Sequence, residues 1–250
     1  MVSPFVLELE HGRAAAVGVE HARDLGRATG ALELGAPRPV VVVVGGAAGL
    51  DDGEIAGLEL LAAGIVRASA ACGAAIVDGG TDAGVMRLVG LAGAAAGTPV
   101  PLVGVVVRAL AGLPDRPAVG SMAALEPRHT HFVLVPGSSW GDEAPWIARV
   151  AGEIAAGRPS VTVLVNGGEI AWTDVAESLR AGRPVLAVAG TGRTADALAA
   201  AVAGRPADAR AAALVRAGRI EAIGPGAGAE EALERRIGDI LVGSASVDDR

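Results

Sequence analysis

Five short glycine-rich segments of this sequence could hold a phosphate group. Each follows an apolar run typical of a strand and precedes a helical pattern: GGAAGLDD (45–52), DGGTDAG (78–84), PGSSWGDE (136–143), NGGEIAW (166–172) and GTGRTAD (190–196). Glycine lets the backbone approach a ligand closely, and a helix N-terminus offers unpaired N–H groups with a partial positive charge. A single glycine turn serves chain geometry equally well, but five on one edge of a sheet favour a nucleotide-like ligand.

Two of these segments have an arginine, within or just after them, that is suited to anion recognition. Arg87 stands in the first turn of the helix after residues 78–84, where a cation opposes the helix dipole unless an anion or a nearby aspartate pairs with it. Arg193 stands between Thr191 and Thr194 at a helix start. Because arginine can make two parallel hydrogen bonds, this group suits a phosphate or diphosphate; a capped helix with an exposed arginine is the alternative.

The segment PGSSWGDE has a different chemistry. Asp142 and Glu143 place negative charge where a phosphate would otherwise lie, which suits ribose hydroxyls or an amino group. They also fit as ordinary first-turn acids of a helix. Trp140 could stack on a base, whereas Trp146 is expected in the core.

His129 and His131 flank Thr130 at the start of a strand, and alternate residues of a strand share a face. The pair could therefore bind a metal, but no carboxylate or third histidine stands at a suggestive spacing, so no metal site is predicted and one histidine could instead touch a ligand. Cys72, the single cysteine, is expected to be a small buried apolar residue.

The composition excludes several function classes. All 21 basic residues are arginine, so a Schiff-base lysine and a Walker A lysine are both absent. The net charge of −7 and an aromatic content of 2% argue against nucleic acid as a partner. The N-terminus has no signal-peptide pattern, and proline and glycine interrupt the one long uncharged stretch, so we expect a cytoplasmic protein without a membrane segment.

Strands and helices alternate along the chain. Apolar β-branched runs predict strands at 39–46, 74–80, 101–107, 130–137, 160–168 and 184–190. Helical patterns follow at 52–71, 83–96, 142–156, 169–180 and 194–203. This alternation predicts an α/β fold, a Rossmann-like three-layer α/β/α sandwich with a mainly parallel sheet. Ligands of such sheets bind beyond the carboxyl ends of the strands, where all five glycine segments lie.

The remaining segments are less regular. An irregular stretch runs from 108 to 128, a length that is usually functional or disordered. Residues 1–38 could hold a hairpin at 4–19, and residues 205–250 read as a helical tail with a frayed polar end. We therefore expect one domain over 1–250, with a core at about 39–204 and an appendage at each end.

Three stretches together resemble a known family: GGTDAGVMRLVG (79–90), HTHFVLVPGSSWGDEAPWIARVAGEI (129–154) and SVTVLVNGGEIAWTDVAESLRAGRPVLAVAGTGRTADALA (160–199). Their order and spacing are similar to the SLOG superfamily, in particular its LSDAT branch, the prokaryotic relatives of the cytosolic N-terminal domain of melastatin-type TRP channels. The resemblance spans roughly residues 39–200. It implies a Rossmann-like fold that binds nucleotide-derived ligands such as ADP-ribose or NAD derivatives.

The resemblance also implies where such a ligand would bind. Phosphates would lie near residues 79–84 and 190–193, and the sugar or base beside residues 136–143. Together with the glycine segments, the predicted ligand-binding residues are Gly45, Gly46, Gly79, Gly80, Thr81, Gly84, Val85, Met86, Arg87, Pro136, Gly137, Ser138, Ser139, Gly141, Glu143, Asn166, Gly167, Gly168, Gly190, Thr191, Gly192, Arg193 and Thr194. No cofactor is predicted.

The chain is more distantly similar to LOG-type phosphoribohydrolases, also called lysine-decarboxylase-like proteins. Those enzymes cleave the N-glycosidic bond of nucleoside monophosphates with an arginine and a glutamate around a PGG-x-GT-x-x-E motif. Here the second glycine is Ser138, an extra residue intervenes and Asp142 replaces the threonine. A clear catalytic arginine is also missing, although Arg116 or Arg128 could substitute.

Three functions remain open at this point. The first is a nucleotide-ligand sensor without catalysis, which the altered motif favours. The second is an N-glycosidase with Glu143 as its catalytic carboxylate. The third is an interaction domain with a vestigial site, in which apolar helix surfaces join subunits; in every case we expect a homo-oligomer.

Overall fold

The computed structural model describes residues 3–35, 37–46, 52–205 and 208–243, with the backbone alone described at 52–54. The middle of the first glycine segment, 47–51, lies outside these ranges. So do residues 244–250, the polar end that the sequence predicts to be frayed.

Nine strands form one central sheet in the described part of the chain, and a further pair forms a small two-stranded sheet. The strands are β1 (Pro4–Leu9), β2 (Gly12–Gly18), β3 (Val40–Gly45), β4 (Ala75–Asp78), β5 (Leu102–Val107), β6 (Ala111–Gly112), β7 (Ala123–Ala124), β8 (His131–Val135), β9 (Ser160–Val165), β10 (Val185–Val188) and β11 (Ile220–Ile223). The order across the large sheet is β1-β2-β8-β5-β4-β3-β9-β10-β11. Only the β1–β2 pair is antiparallel among its pairings.

Helices cover both faces of this sheet. They are α1 (Leu25–Ala31), α2 (Asp52–Ala71), α3 (Gly84–Ala95), α4 (Ala144–Ala155), α5 (Glu169–Arg180), α6 (Arg193–Val202), α7 (Ala209–Ala217) and α8 (Ala229–Val242). The core on one face contains residues of α1, α4, α5, α6 and α7, and the core on the other contains residues of α2, α3 and α8. The predicted Rossmann-like α/β/α sandwich is therefore confirmed. In the described part, no helix has both the length and the apolar character that a membrane span requires.

Strand β3 explains why the sequence forms this sheet. Its five valines are all buried, and they alternate between the two cores: Val40, Val42 and Val44 face one, whereas Val41 and Val43 face the other. A strand covered on both faces has no polar side, so it appears in the sequence as a continuous apolar run.

The chain changes direction across the sheet at β3. Strands β4, β5 and β8 are added on one side of β3, and then the chain crosses back to add β9, β10 and β11 on the other. Connections therefore leave the neighbouring strands β3 and β9 in opposite directions, which opens a crevice at their carboxyl ends.

Both end segments extend the sheet beyond what the sequence predicted. The expected hairpin is present as β1 and β2, and β2 pairs in parallel with β8. The C-terminal segment is not purely helical, because β11 pairs in parallel with β10 between α7 and α8. Four residues are too short for a periodic signal, and their extended state depends on pairing with β10.

Helix α8 packs on α2 through Leu233, Ile237 and Leu241, which are all buried. We expect Ile237→Ala to lower the free energy of unfolding by about 2–5 kcal/mol, because it leaves a cavity in this core. Urea unfolding measures the change. Arg235→Ala, on the exposed side of the same helix, is the control and should stay within about 0.5 kcal/mol of wild type. Equal midpoints for the two variants would show that α8 is not part of the cooperative fold.

Candidate functional site

A cleft of about 240 Å³ lies at the carboxyl edge of the sheet where β3 and β9 separate. Its walls come from the ends of β3 and β4, the segments before α3 and α4, and the first two turns of α5. The lining residues are Val43, Val44, Gly45, Gly79, Thr81, Met86, Trp140, Glu143, Ile147, Gly168, Glu169, Ile170, Ala171 and Asp174. Four of the five predicted glycine segments contribute to it; residues 190–196 are not among the lining residues, but their Arg193 lies beside Gly168, as described below.

Gly79 and Gly80 have different roles although they are adjacent. A Cβ on Gly79 would meet no atom of the described residues within 4 Å, and Gly79 lines the cleft. Gly80 has φ +64°, and a Cβ there would lie 2.7 Å from Gly104 Cα and 3.1 Å from the Phe132 ring. Gly80 is thus required by the fold, whereas Gly79 leaves room for a ligand.

A buried ionic network holds this glycine turn from beneath. His129 Nε2 lies 2.9 Å from Asp78 Oδ1, and His129 Nδ1 lies 2.9 Å from Glu126 Oε2. The Gly80 N–H donates to Asp78 Oδ1 at 2.7 Å, and the Glu126 N–H donates to the Gly80 carbonyl at 2.9 Å. The turn is therefore fixed by two residues that lie far apart in the sequence.

Charge stabilises the network. Burial alone would lower the pKa of His129, but Asp78 and Glu126 raise it to about 9, so the imidazole is protonated at neutral pH. Burial alone would raise the pKa of Glu126, but His129 and Arg128 bring it below its ordinary value. Because both His129 nitrogens are engaged and its side chain is fully buried, this histidine positions the turn and does not face the cleft.

The segment after β10 places an arginine beside Gly168, one of the residues that line the cleft. The Arg193 guanidinium nitrogens lie 3.4 and 3.5 Å from the position that a Cβ on Gly168 would take. Gly168 is the N-cap of α5, and no side chain caps this helix. An arginine beside uncapped helix N–H groups is a favourable environment for an anion.

The two threonines of that segment are structural. The Thr191 hydroxyl donates to the Val188 carbonyl at 2.7 Å and accepts from the Asn166 N–H at 2.8 Å. The Thr194 hydroxyl lies 3.1 Å from the carbonyls of both Gly167 and Gly168. Both hydroxyls are buried and lock the segments after β9 and β10 together.

The segment PGSSWGDE positions a carboxyl group in the cleft. Asp142 Oδ2 accepts the N–H groups of Ser138 and Ser139 at 2.8 and 3.0 Å, which lowers the pKa of Asp142. Asp142 is thereby used within its own loop. The Gly141 N–H donates to Glu143 Oε2 at 2.9 Å, and the Glu143 side chain lines the cleft.

Trp140 belongs to the same loop and also lines the cleft, as expected. Its indole N–H donates to the Ser121 carbonyl at 3.0 Å, which ties the irregular segment 108–128 to the site. Trp146 packs on the core below α4, in agreement with its predicted role.

A second carboxyl group, Asp174, faces Glu143 from α5. Burial and the charge of Glu143 raise the pKa of Asp174 to about 7. Burial also raises the pKa of Glu143, and the nearby Asp142 adds to that effect. With a pKa of about 7, Asp174 carries a proton in about half of the molecules at neutral pH, so the pair can both donate and accept a hydrogen bond.

The other predicted residues lie at the same edge but outside the cleft lining. Val85 is buried in the core, and Arg87 is exposed with Nε 3.6 Å from Asp82 Oδ1. The N-cap of α3 is Ala83, which has no side-chain cap, so neither Thr81 nor Asp82 caps that helix. Gly190 and Thr191 line a second cavity together with residues of α2 and α8. The remaining predicted residues are Gly46, Gly84, Pro136, Gly137, Asn166, Gly167 and Gly192.

Sequence reasoning missed Asp174, Asp78 and Glu126. Asp174 carried a usable signal, since it lies beside Ala171, Val175 and Ser178, the buried residues of α5. An acidic residue within such a buried stripe is uncommon and points to a site. Glu126 carried no local signal, because it meets Asp78 only through His129.

A family model described as "SLOG in TRPM, prokaryote" matches residues 38–233. The chain belongs to this prokaryotic SLOG-in-TRPM family. The expectation drawn from the residue motifs is thereby confirmed, and the matched region contains every residue that lines the cleft.

Two curated relatives of this SLOG chain are transient receptor potential cation channel subfamily M member 2 of Mus musculus and of Rattus norvegicus. Each is 25% identical over 202 residues, which cover 66% of this chain and 13% of the channel. The chain thus spans about 13% of the length of these relatives. A solved X-ray structure, the structural genomics target TM1055, superposes with a TM-score of 0.54 at 22% identity and covers 79% of this chain and 98% of its own. At that identity the likeness concerns the fold alone.

Proposed function

We propose that this SLOG protein binds a nucleotide-derived ligand, with ADP-ribose as the first candidate, in the cleft at the carboxyl edge of its sheet. The observation that carries the proposal is the polarity of the cleft. One end has the uncapped start of α5, where the Arg193 guanidinium lies beside Gly168 and Glu169 is paired with Arg210, and the other has Glu143 and Asp174.

This polarity matches the two parts of a nucleotide. A phosphate is favoured at the arginine and helix N-terminus, and sugar hydroxyls are favoured at the carboxyl groups. Gly168 and Asp174 are separated by six residues of α5, which is about 9 Å along the helix axis. That separation suits one sugar and its phosphate. The apolar walls, among them Trp140, would contact the base or the second sugar.

The volume of the cleft limits how much of a ligand it encloses. At about 240 Å³ it is smaller than typical small-molecule sites, which measure roughly 300–1,000 Å³. A sugar phosphate would be enclosed, and the rest of a dinucleotide would extend along the sheet edge. We therefore expect AMP to bind and ADP-ribose to bind more tightly.

Isothermal titration of the full chain against ADP-ribose, cyclic ADP-ribose, NAD and AMP tests the proposal. Binding heat, with a thermal shift that increases with ligand concentration, is the expected result. No heat and no shift with any of the four would count against nucleotide binding and in favour of a vestigial site.

A second candidate function is N-glycosidic hydrolysis, and the two carboxyl groups favour it. With its raised pKa, Glu143 is suited to general acid–base work or to stabilising the positive charge of an oxocarbenium-like centre. The altered PGG motif and the missing catalytic arginine argue against it. We therefore favour a cleft whose carboxyl groups bind a sugar without cleaving its N-glycosidic bond.

Release of free base from a nucleotide panel distinguishes the two functions. If the protein is a hydrolase, Glu143→Gln should lower the rate by about 10²–10⁴-fold, the usual contribution of a positioned acid or base. Equal rates in wild type and variant would remove Glu143 from the mechanism. We expect no base release from wild type above background.

A further inference from the structure

One oxygen of the Asp174 carboxyl group lacks a hydrogen-bond partner among the described residues. Its Oδ1 atom is inaccessible to solvent and has no hydrogen-bond partner in the described part of the protein. Leaving a buried acceptor unpaired is costly, so such groups are few in folded proteins and call for an explanation such as a bound ligand. The side chain lines the cleft, so a ligand bound there would lie next to this carboxyl group.

The surroundings of Asp174 define what that donor can be. From α4 it faces Glu143 and Ile147, from α5 Ile170 and Ala171, and from β3 two valines. Within the described residues, Glu143 is the sole charged group that affects the ionisation of Asp174, and no cation balances it. Arg193 stands at the other end, beside Gly168.

We propose that Asp174, together with Glu143, is the sugar subsite of the cleft and hydrogen-bonds the vicinal hydroxyls of a ribose. The inference rests on the proposed function and names the part of the ligand that each end of the cleft reads. Asp174 is a specificity-determining residue, and no bond of the ligand is broken in its role.

A ribose suits this pair better than a cation does. Hydroxyls donate and accept at once, as does a carboxyl pair that retains one proton. A cation would require both carboxyl groups to be ionised within apolar walls. The exocyclic amine of a base is the other neutral donor, and the experiment below separates it from a sugar.

The experiment is a thermodynamic cycle that combines the substitution of one residue with the removal of one ligand hydroxyl. AMP, 2′-deoxy-AMP, 3′-deoxy-AMP and ribose 5-phosphate are titrated at pH 7.5 into wild type, Asp174→Asn and Glu177→Gln. Glu177 lies one turn further along α5, outside the cleft, and serves as the matched control. Thermal midpoints of all three proteins are recorded without ligand.

We expect wild type to bind AMP about tenfold or more tightly than at least one of its deoxy forms. Asp174→Asn should bind AMP with that weaker affinity and lose the discrimination, whereas Glu177→Gln should behave as wild type. Ribose 5-phosphate should follow the same pattern, which excludes an amine of the base. The thermal midpoint of Asp174→Asn should not fall, because an amide cannot ionise within the cleft.

Three outcomes would overturn the inference. Wild-type affinity of Asp174→Asn for AMP, or an equal loss for AMP and both deoxy forms, excludes a sugar contact and leaves the proposed function standing. If Asp174→Asn weakens the binding of AMP and both deoxy forms equally but leaves that of ribose 5-phosphate unchanged, the pair is assigned to an amine of the base. Absence of binding by wild type to every nucleotide overturns the proposed function and this inference together.

Discussion

Replacing His129 with alanine is expected to lower the free energy of unfolding by about 3–5 kcal/mol, the effect of removing one member of a buried ionic group. The side chains of His129, Asp78 and Glu126 are each fully buried. Without the imidazolium, buried Asp78 loses its ionic partner, and Glu126 is left with Arg128, whose guanidinium lies 3.1 Å from Glu126 Oε1. The Gly80 turn, which depends on Asp78, should loosen at the same time.

The pH dependence of stability gives this prediction a second readout. The folded pKa of His129, about 9, lies above its ordinary value of 6.5. The stabilisation it contributes is therefore complete below pH 6.5 and is lost as the pH rises through 9. The chain has no lysine and no tyrosine, so few other groups titrate between pH 7.5 and 9.5. The exceptions among the described residues are Cys72, Asp174, whose pKa is raised to about 7, and Arg183, whose pKa burial lowers to about 10.

Urea unfolding at pH 7.0, 8.0 and 9.0 measures both effects. Wild type should lose stability across this range, and His129→Ala should start lower and change little. His131→Ala is the control, since His131 is only partly buried and lies outside the network. If His129→Ala and His131→Ala unfold at the same urea concentration, or if wild type is equally stable at pH 7.0 and 9.0, the buried network is not ionic.

The sequence predicts the fold well because this sheet is covered on both faces. The valine run of β3 and its equivalents leave a continuous apolar signal that needs no knowledge of the partner strands. β11 illustrates the limit of such reasoning. Its four residues, IEAI, are extended because β10 presents an open edge beside them, and that information lies about 35 residues away.

Part of the candidate site could likewise be predicted from the sequence, and part could not. Glycine segments could be placed at one edge because parallel strands all end there, and Gly45, Gly79 and Gly168 line the cleft at that edge. The acidic partners could not be placed. Asp78 and His129 are 51 residues apart, and their contact is created by the neighbouring positions of β4, β5 and β8 in the sheet. Local patterns carry no record of that adjacency.

The adjacent glycines that follow β4, Gly79 and Gly80, should give opposite results when each is changed to alanine. At Gly80, the left-handed backbone costs about 1–2 kcal/mol with a Cβ, and overpacking against Gly104 and Phe132 adds about 1–3 kcal/mol. Gly80→Ala should therefore be strongly destabilised. At Gly79 a Cβ meets open space, so Gly79→Ala should keep the stability of wild type to within about 0.5 kcal/mol.

Ligand affinity should change in the opposite way to stability in these two variants. The methyl group of Gly79→Ala would lie in the cleft, where a phosphate or sugar must approach the backbone closely. The affinity of this variant for AMP and ADP-ribose should therefore fall about tenfold or more. Its unfolding curve should match that of wild type. Gly80→Ala should bind weakly only in proportion to its unfolded fraction. The comparison separates a glycine needed for a ligand from one needed for a turn, by titration and urea unfolding of the same two proteins. Wild-type affinity in Gly79→Ala would place the ligand elsewhere, because a cleft that tolerates an added methyl at its floor does not hold a ligand against that floor.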